Sequence, residues 1–458
     1  MAERRPKSQG LERVLGTSAL FSTAYGNVGS SIYYALGLVA ALALGLTPIV
    51  FVISGVIFVF TAATYIEATT MYPEAGGSSS FARHAFNEFA SFFAAWGQML
   101  NYIITAAISA YFVPHYLGVF FEPLKGAPWD IVFGIGIIVL LGAINIVGVQ
   151  ESAKLNIVLS MTDFVTQVLL VIVGIVLVFS PDVLIGNVDF GVNPTWNDFL
   201  LAIPVGMVAY TGIETISNLA EEAKDFETTL PQATKFTVIA VFAIYLFLPA
   251  VALSAMPVVN GETLLGLGEE AGGFAGDPVL GIVESMSLGV FQSPAEIYVG
   301  ILAATILIIA TNAGIIGVSR LTYSMGQHRQ IPAVMRTLHP KFKTPYVAII
   351  VFGGVACLTM IPGQAEFLGT MYAFGAMLSF TIAHLAVARL RFKFPDVERP
   401  WQSPMNLNLR GAKLPLTAVF GGTATLIAWL VVVILDFVTL AVGTGWMLVG
   451  ITLYVFYR

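Results

Sequence analysis

Two carboxylic acids, Asp163 and Glu214, sit inside otherwise apolar stretches of this 458-residue chain. A charge at the middle of a membrane helix costs roughly 2.5–3.5 kcal/mol on insertion scales, and such groups mark ion or substrate pathways. A carboxyl group held away from water suits a proton-coupling role, or it attracts a metal cation. The structural alternative for Asp163 is a bond to a neighbouring hydroxyl or backbone group. Glu214 gates or couples, or else ties its helix to a neighbour. Glu67 lies near the end of another apolar run and is expected to reach water or a loop amide.

Two polar, glycine-rich clusters interrupt apolar runs. One is Gly26-Asn27-Val28-Gly29-Ser30-Ser31; the other is Pro204-Val205-Gly206 followed by Ala209-Tyr210-Thr211-Gly212. Glycine weakens a helix by about 0.5–1 kcal/mol relative to alanine, and Ser and Asn compete for backbone hydrogen bonds. Close helix packing explains one such cluster. Two at corresponding places in the halves of a membrane chain point to a transporter whose substrate sits at the breaks. A helix restarting near Gly29 offers the amides of Gly29, Ser30, Ser31 and Ile32, with its dipole, to an anion such as a carboxylate. Carbonyls freed at Val208, Ala209 and Tyr210 accept hydrogen bonds from an ammonium group. A carboxylate and an amine a few Å apart describe an amino acid. Val208, Thr211, Thr311, Asn312, Tyr372 and Phe374 are candidates for its side-chain pocket. They are mostly neutral, which favours a neutral amino acid over an arginine or a polyamine.

Other chemistries lack their residues. The five histidines show no metal spacing, and Cys357 is the single cysteine, so no disulfide, Cys-based metal site or cofactor is expected. No nucleophile stands with a base, which argues against an enzyme. Gly326-Gln327-His328-Arg329-Gln330 lacks the spacing of a phosphate cradle. The net charge of −6 is spread over loops and gives no support to nucleic-acid binding.

The elements that must position these groups are about twelve apolar segments, near 15–44, 47–72, 86–121, 129–149, 154–180, 198–220, 236–257, 297–322, 345–361, 366–390, 414–436 and 438–457. Roughly 20 apolar residues span the ~30 Å of a bilayer core. A chain that is 57% hydrophobic and 10% charged is an integral membrane protein. Threading the segments alternately across the bilayer puts every one of the 21 Lys and Arg residues except Lys125 on one face. Positive charge marks the cytoplasmic side, so both termini are expected inside a plasma-membrane protein. The polar start without a small-residue cleavage site reads as preceding a retained first helix.

Motifs in order along the chain then carry a resemblance. Val28-Gly29-Ser30-Ser31-Ile32-Tyr33 is similar to a first-helix pattern Ile-Gly-Ser-Gly-Ile-Phe, and Tyr72-Pro73-Glu74-Ala75-Gly76-Gly77-Ser78 to a Pro-x-x-Gly-Gly-Ser/Thr signature. Tyr210-Thr211-Gly212-Ile213-Glu214, continuing to Asp225, resembles a sixth-helix signature. Ser319 to Met325, Leu338 to Pro345 and Arg399-Pro400-Trp401 resemble later elements of the same set. Over nearly its whole length the chain resembles the amino acid–polyamine–organocation (APC) transporter superfamily.

The resemblance implies an all-α membrane protein of about 12 transmembrane helices: a five-plus-five inverted repeat with broken helices 1 and 6, plus two C-terminal helices. On that reading the chain divides into a cytoplasmic tail (1–14), a first repeat (15–180), a second (198–390) and helices 11–12 (414–457). It implies secondary transport of amino acids by alternating access, with Gly29, Ser30, Ser31 and Ile32 holding the carboxylate and Val208, Ala209, Tyr210 and Thr211 near the amine. Asp163 and Glu214 are the coupling candidates. Two departures stand out. Ser31 replaces the family's second glycine. In the run Glu151-Ser152-Ala153-Lys154-Leu155-Asn156, some relatives carry a lysine twelve residues after the glutamate, where this chain has Asp163. An aspartate there favours a proton as coupling ion. Sodium, held by first-helix carbonyls with Thr311 or Ser319, and plain exchange stay open, as do an amine or other organic cation as substrate and a sensor or channel of the same fold. The expected partners are an amino acid, the coupling ion and the lipid bilayer; no oligomeric state is assigned.

Overall fold

Inside a bilayer every backbone amide and carbonyl must find its partner within the chain, which restricts spanning segments to helices or closed barrels. The long Leu, Val, Ile, Ala and Phe runs of this chain form helices. The computed structural model describes residue 13, residues 15–148 and residues 153–457. The expected tail 1–14 therefore lies outside the described residues except for Arg13, and so do Glu151 and Ser152.

The first segment is divided into α1 (Thr17–Gly29) and α2 (Ile32–Ala43). Next come α3 (Thr47–Met71), the short α4 (Ser78–Ala85), α5 (Glu88–Leu117), α6 (Trp129–Val147) and α7 (Ala153–Leu177). After α8 (Pro181–Gly186), the sixth segment is divided as well, into α9 (Trp196–Val208) and α10 (Glu214–Asn218). The chain continues through α11 (Phe226–Ala255), α12 (Pro278–Ser285), α13 (Gln292–Gln327), α14 (Tyr346–Met360), α15 (Ala365–Lys393), α16 (Leu416–Leu435) and α17 (Phe437–Tyr457). All twelve sequence segments are thus helices or pairs of half-helices. The polar stretch before α16 holds an antiparallel hairpin, β1 (Asn406–Leu409) and β2 (Ala412–Pro415), which the sequence reading did not anticipate.

Eight stretches of the described residues are long and apolar enough to cross a membrane by length and composition. The helix α5 is central instead of lipid-facing. Gln98, Asn101, Ser109 and His115 are all buried along its 30 residues. It packs against α13 and α15. The approach of α13 is close: a Cβ on Gly314 would lie 2.8 Å from the Ala106 amide nitrogen and the Tyr102 carbonyl. Small residues at such crossings let backbones meet in a membrane, where dispersion replaces hydrophobic driving force. The outer helices show the reverse pattern, with Val139, Leu140, Val176, Ile434 and Phe456 exposed.

At the basic end of the bundle, Glu67 is buried in a charge cluster. Arg391 binds it through Nε (2.6 Å) and Nη2 (2.8 Å), and Arg399 Nε lies 3.5 Å away. The Ser403 amide donates to the same carboxylate at 2.9 Å. Glu67 does reach a loop amide, as its position suggested, but it also joins α3 to α15, and water does not surround it. Removing one partner of a buried ion pair costs about 3–5 kcal/mol because the other charge stays buried. Glu67→Gln should therefore lower the midpoint of thermal unfolding in detergent markedly. A midpoint equal to wild type would show that the cluster does not hold α3 to α15.

Candidate functional site

The two breaks differ in width. At the first, Ser30 (φ −63°, ψ −24°) and Ser31 (φ −70°, ψ −22°) stay in the right-handed helical region, and the Ser31 amide donates to the Val28 carbonyl at 3.1 Å. The chain kinks here and does not unwind. At these angles a side chain is unstrained, so serine fits where the related pattern has glycine. The Ser31 hydroxyl accepts from Tyr34 at 2.9 Å. The second break is wider, covering residues 209–213 between α9 and α10. The amides of Ala209, Tyr210 and Thr211 donate to Gly206, Met207 and Val208, three residues back. Gly212 then reverses to φ +114°, a value that L side chains rarely adopt. Its amide is capped by Glu214 Oε2 at 3.0 Å.

Below the breaks lies a cavity of about 330 Å³, within the size range of small-molecule sites. Asn27, Asn101, Thr105, Glu214, Thr215 and Tyr372 line its inner part. Ala75, Asn156, Asn218, Arg320 and Ser324 line it toward the ends of α3, α7 and α13 that share the basic face. Carboxamides tie the wall together. Asn27 Nδ2 donates to Thr215 Oγ1 at 2.6 Å, joining the two broken helices, and Asn101 Nδ2 donates to Glu214 Oε1 at 3.2 Å. Asn218 Nδ2 donates to the Tyr102 hydroxyl at 2.5 Å.

Among the residues singled out from sequence, Glu214, Tyr372 and Asn312 line this cavity. Gly29, Ser30, Ser31, Ile32, Val208, Ala209, Tyr210 and Thr211 are buried at the breaks themselves, behind that wall. The Val208 carbonyl is already bonded to the Thr211 amide (3.1 Å) and Oγ1 (2.7 Å), and Thr211 Oγ1 also bonds the Tyr372 hydroxyl at 2.7 Å. Asn101, Thr215 and Asn218 were missed, and Asn27 was read only as part of the first break. Their readable signal was an amide or hydroxyl side chain within an apolar run.

Asp163 lies off the cavity, one turn past Ser160, which lines it. Its Oδ1 accepts from the Tyr33 hydroxyl at 2.5 Å and its Oδ2 from Gln167 Nε2 at 2.8 Å. Gln167 Nε2 also donates to the Gly29 carbonyl at 3.2 Å. The carboxyl thus contacts α2 directly and α1 through Gln167, so it spans the first break.

A family model described as amino acid permease matches residues 15–457. The chain belongs to that family of APC transporters. The methylthioribose transporter of Bacillus subtilis (strain 168) is 28% identical over 423 residues, covering 87% of this chain and 85% of the relative. The branched-chain amino acid permease BcaP of the same organism is 24% identical, over 98% of this chain and 93% of its own. The low-affinity putrescine importer PlaP of Escherichia coli (strain K12) is 26% identical, covering 78% and 76%. The permease is accordingly a multi-pass membrane transporter.

On the face opposite its basic end the permease carries a cover. Residues 256–291 fold over α2 so closely that a Cβ on Gly37 would lie 2.4 Å from the Ala275 carbonyl oxygen. The Tyr116 hydroxyl donates to the Tyr33 carbonyl at 2.7 Å and accepts from the Val279 amide at 3.4 Å, linking α5, α2 and α12. Lys125 clasps the cover, with Nζ 2.7 Å from both Glu269 and Asp277. Burial pushes the Glu269 carboxyl up to about 7, against the pull of Lys125, and burial likewise raises that of Asp277. The Asp277 side chain is fully buried. Lys125→Met strands that carboxylate, so a loss approaching the ~3–5 kcal/mol of a broken buried pair is expected as a lower thermal midpoint. Adding Asp277→Asn should recover part of it, because contacting residues are not additive. Two losses that simply add would show that the clasp does no work.

Proposed function

We propose that this permease carries a small amine-bearing solute, an amino acid, across the plasma membrane by alternating access, driven by the proton gradient. The observation that carries the reading is the cavity that lies beside the two breaks, lined by Gly26 and Asn27 next to the first and by Glu214 and Thr215 next to the second. With the basic face cytoplasmic, both termini lie inside and the structure is an inward-open state. The proposed repeats are residues 15–180 and 198–390, with 414–457 outside them.

In this reading the substrate exchanges its own polar groups for bonds the chain now makes with itself. Its carboxylate takes the amides of Gly29, Ser30, Ser31 and Ile32 at the start of α2, displacing the Ser31 to Val28 bond. Its ammonium takes the carbonyls of Val208, Ala209 and Tyr210, with Thr211 beside them and Glu214 one turn on. Asp163 takes up the coupling proton, since it lies one turn from the cavity wall and touches both halves of the first broken helix. A proton needs no added space there, unlike sodium, which requires several oxygens to converge. A second reading, an amine without a carboxylate, is favoured by Glu214 in the wall and by similarity to a putrescine importer.

Uptake of a labelled amino-acid panel into proteoliposomes, with an inward proton gradient and no sodium, tests both readings. Accumulation that a protonophore abolishes is expected for an amino acid. Uptake of diamines alone would select the second reading, and accumulation that needs sodium would overturn proton coupling. Asp163→Asn should lose gradient-driven accumulation while retaining exchange; accumulation equal to wild type would remove Asp163 from the coupling step.

A further inference from the structure

We infer that Gln167 is a positioning residue that conveys the ionisation state of Asp163 to the end of α1. This rests on the proposal that Asp163 carries the coupling proton. Gln167 lies one turn after Asp163 on α7 and is fully buried. Both hydrogens of its amide are in use, one toward Asp163 Oδ2 (2.8 Å) and one toward the Gly29 carbonyl (3.2 Å). Its Oε1 is buried and has no hydrogen-bond partner. A buried acceptor left empty calls for a physical reason. The Tyr25 hydroxyl of α1 is buried beside the same carboxyl and is a second group from that helix that interacts with it. The titratable groups facing Asp163 are Tyr25 from α1, Tyr33 from α2 and Tyr245 from α11. Among the described residues no Lys, Arg or His forms an ion pair with it.

The two states of the carboxyl ask opposite things of this amide. An ionised carboxylate only accepts, so it holds the N–H side and leaves the second N–H for Gly29. A protonated carboxylic acid donates, and the empty acceptor beside it is Gln167 Oε1. The step balances simply: a proton given up by hydronium, which leaves as water, binds Oδ2, and the carboxylate becomes neutral. Half a turn of the amide about its last side-chain bond lets Oε1 accept the new hydrogen and withdraws Nε2 from Gly29. The Gly29 carbonyl then keeps only the Tyr245 hydroxyl at 3.3 Å, which it shares with the Val28 carbonyl at 2.8 Å. Protonation thus unfastens α1 from α7. Since α1 carries Gly26 and Asn27 of the cavity wall, the released helix is free to close the inner face.

The test compares gradient-driven accumulation with exchange between equal internal and external substrate, in proteoliposomes of the full chain. Gln167→Met keeps the bulk and removes the amide; Gln167→Glu keeps polarity but, when protonated, offers one hydrogen where the amide offers two. Either variant should lose roughly tenfold in accumulation, within the range of a coupling free energy, while exchange stays near wild type. Asp163→Asn serves as the reference. If it loses accumulation while both Gln167 variants accumulate like wild type, the inference fails and the coupling proposal stands. If Asp163→Asn itself accumulates like wild type, the coupling proposal fails and takes the inference with it. Equal loss of exchange and accumulation in the Gln167 variants would reduce Gln167 to a packing role and overturn the inference.

Discussion

A backbone polar group inside a membrane has no water to fall back on, and that constraint governs how this chain can break two helices at membrane depth. Side chains from other helices take over the ends. Tyr245 on α11 donates to the Val28 and Gly29 carbonyls, Gln167 on α7 donates to Gly29, and Tyr116 on α5 donates to the Tyr33 carbonyl. At the second break Glu214 caps the Gly212 amide and Tyr210 donates to the Phe51 carbonyl on α3. The breaks are therefore products of the tertiary structure. Moving any of these helices changes which backbone groups are satisfied, and so couples the geometry of the bundle to the state of the site.

The same constraint explains why the cavity wall is built from carboxamides and hydroxyls. Asn27, Asn101 and Asn218 each donate to a partner on another helix, Thr215, Glu214 and Tyr102 respectively. An amide carries no charge to desolvate, yet it offers both a donor and an acceptor. A polar substrate can be met without the cost of burying several ions. Close packing limits where such groups go: a Cβ on Gly26 would lie 2.2 Å from Ser160 Oγ, so α1 meets α7 at a glycine and presents its polar residue one position later.

The fold was largely legible because its signals are long. Twelve apolar runs, two polar breaks and the sorting of Lys and Arg all survive without tertiary knowledge, and the segments near 345–361 and 414–436 match α14 and α16 within two residues at each end. The site was legible in part. Glu214 and Asp163 stood out as acids in apolar helices, but that signal does not say which of them faces the cavity. The kink at Ser30 and Ser31 was read as an unwound stretch with free amides, whereas the residues keep helical angles and the Ser31 amide bonds back to Val28. Local sequence marks where a helix can yield; the neighbours decide how far it does. Asn101 and Thr215 belong to elements far apart in sequence, and only the packing of α5 against α13 and α15 brings the former to the cavity.

The sorting of Lys and Arg along the chain leaves Lys125 as the one such residue, among those described, at the covered face. Lys125 stands among Glu269, Asp277 and Glu284, and it pairs with the first two. A cover held by many redundant ion pairs would open slowly, because each would have to be resolvated in turn. A cover held by one lysine, a close glycine contact and a tyrosine is freed once that lysine leaves its two carboxylates. On the basic face the opposite holds: Glu67 is locked by two arginines and a loop amide, joining α3 to α15. The clamp with several bonds joins two long helices of the bundle, and the single clasp holds the segment that covers α2. Under the alternating access proposed for this permease, the weak point belongs at a moving contact, and Lys125 holds the cover there with a single cation.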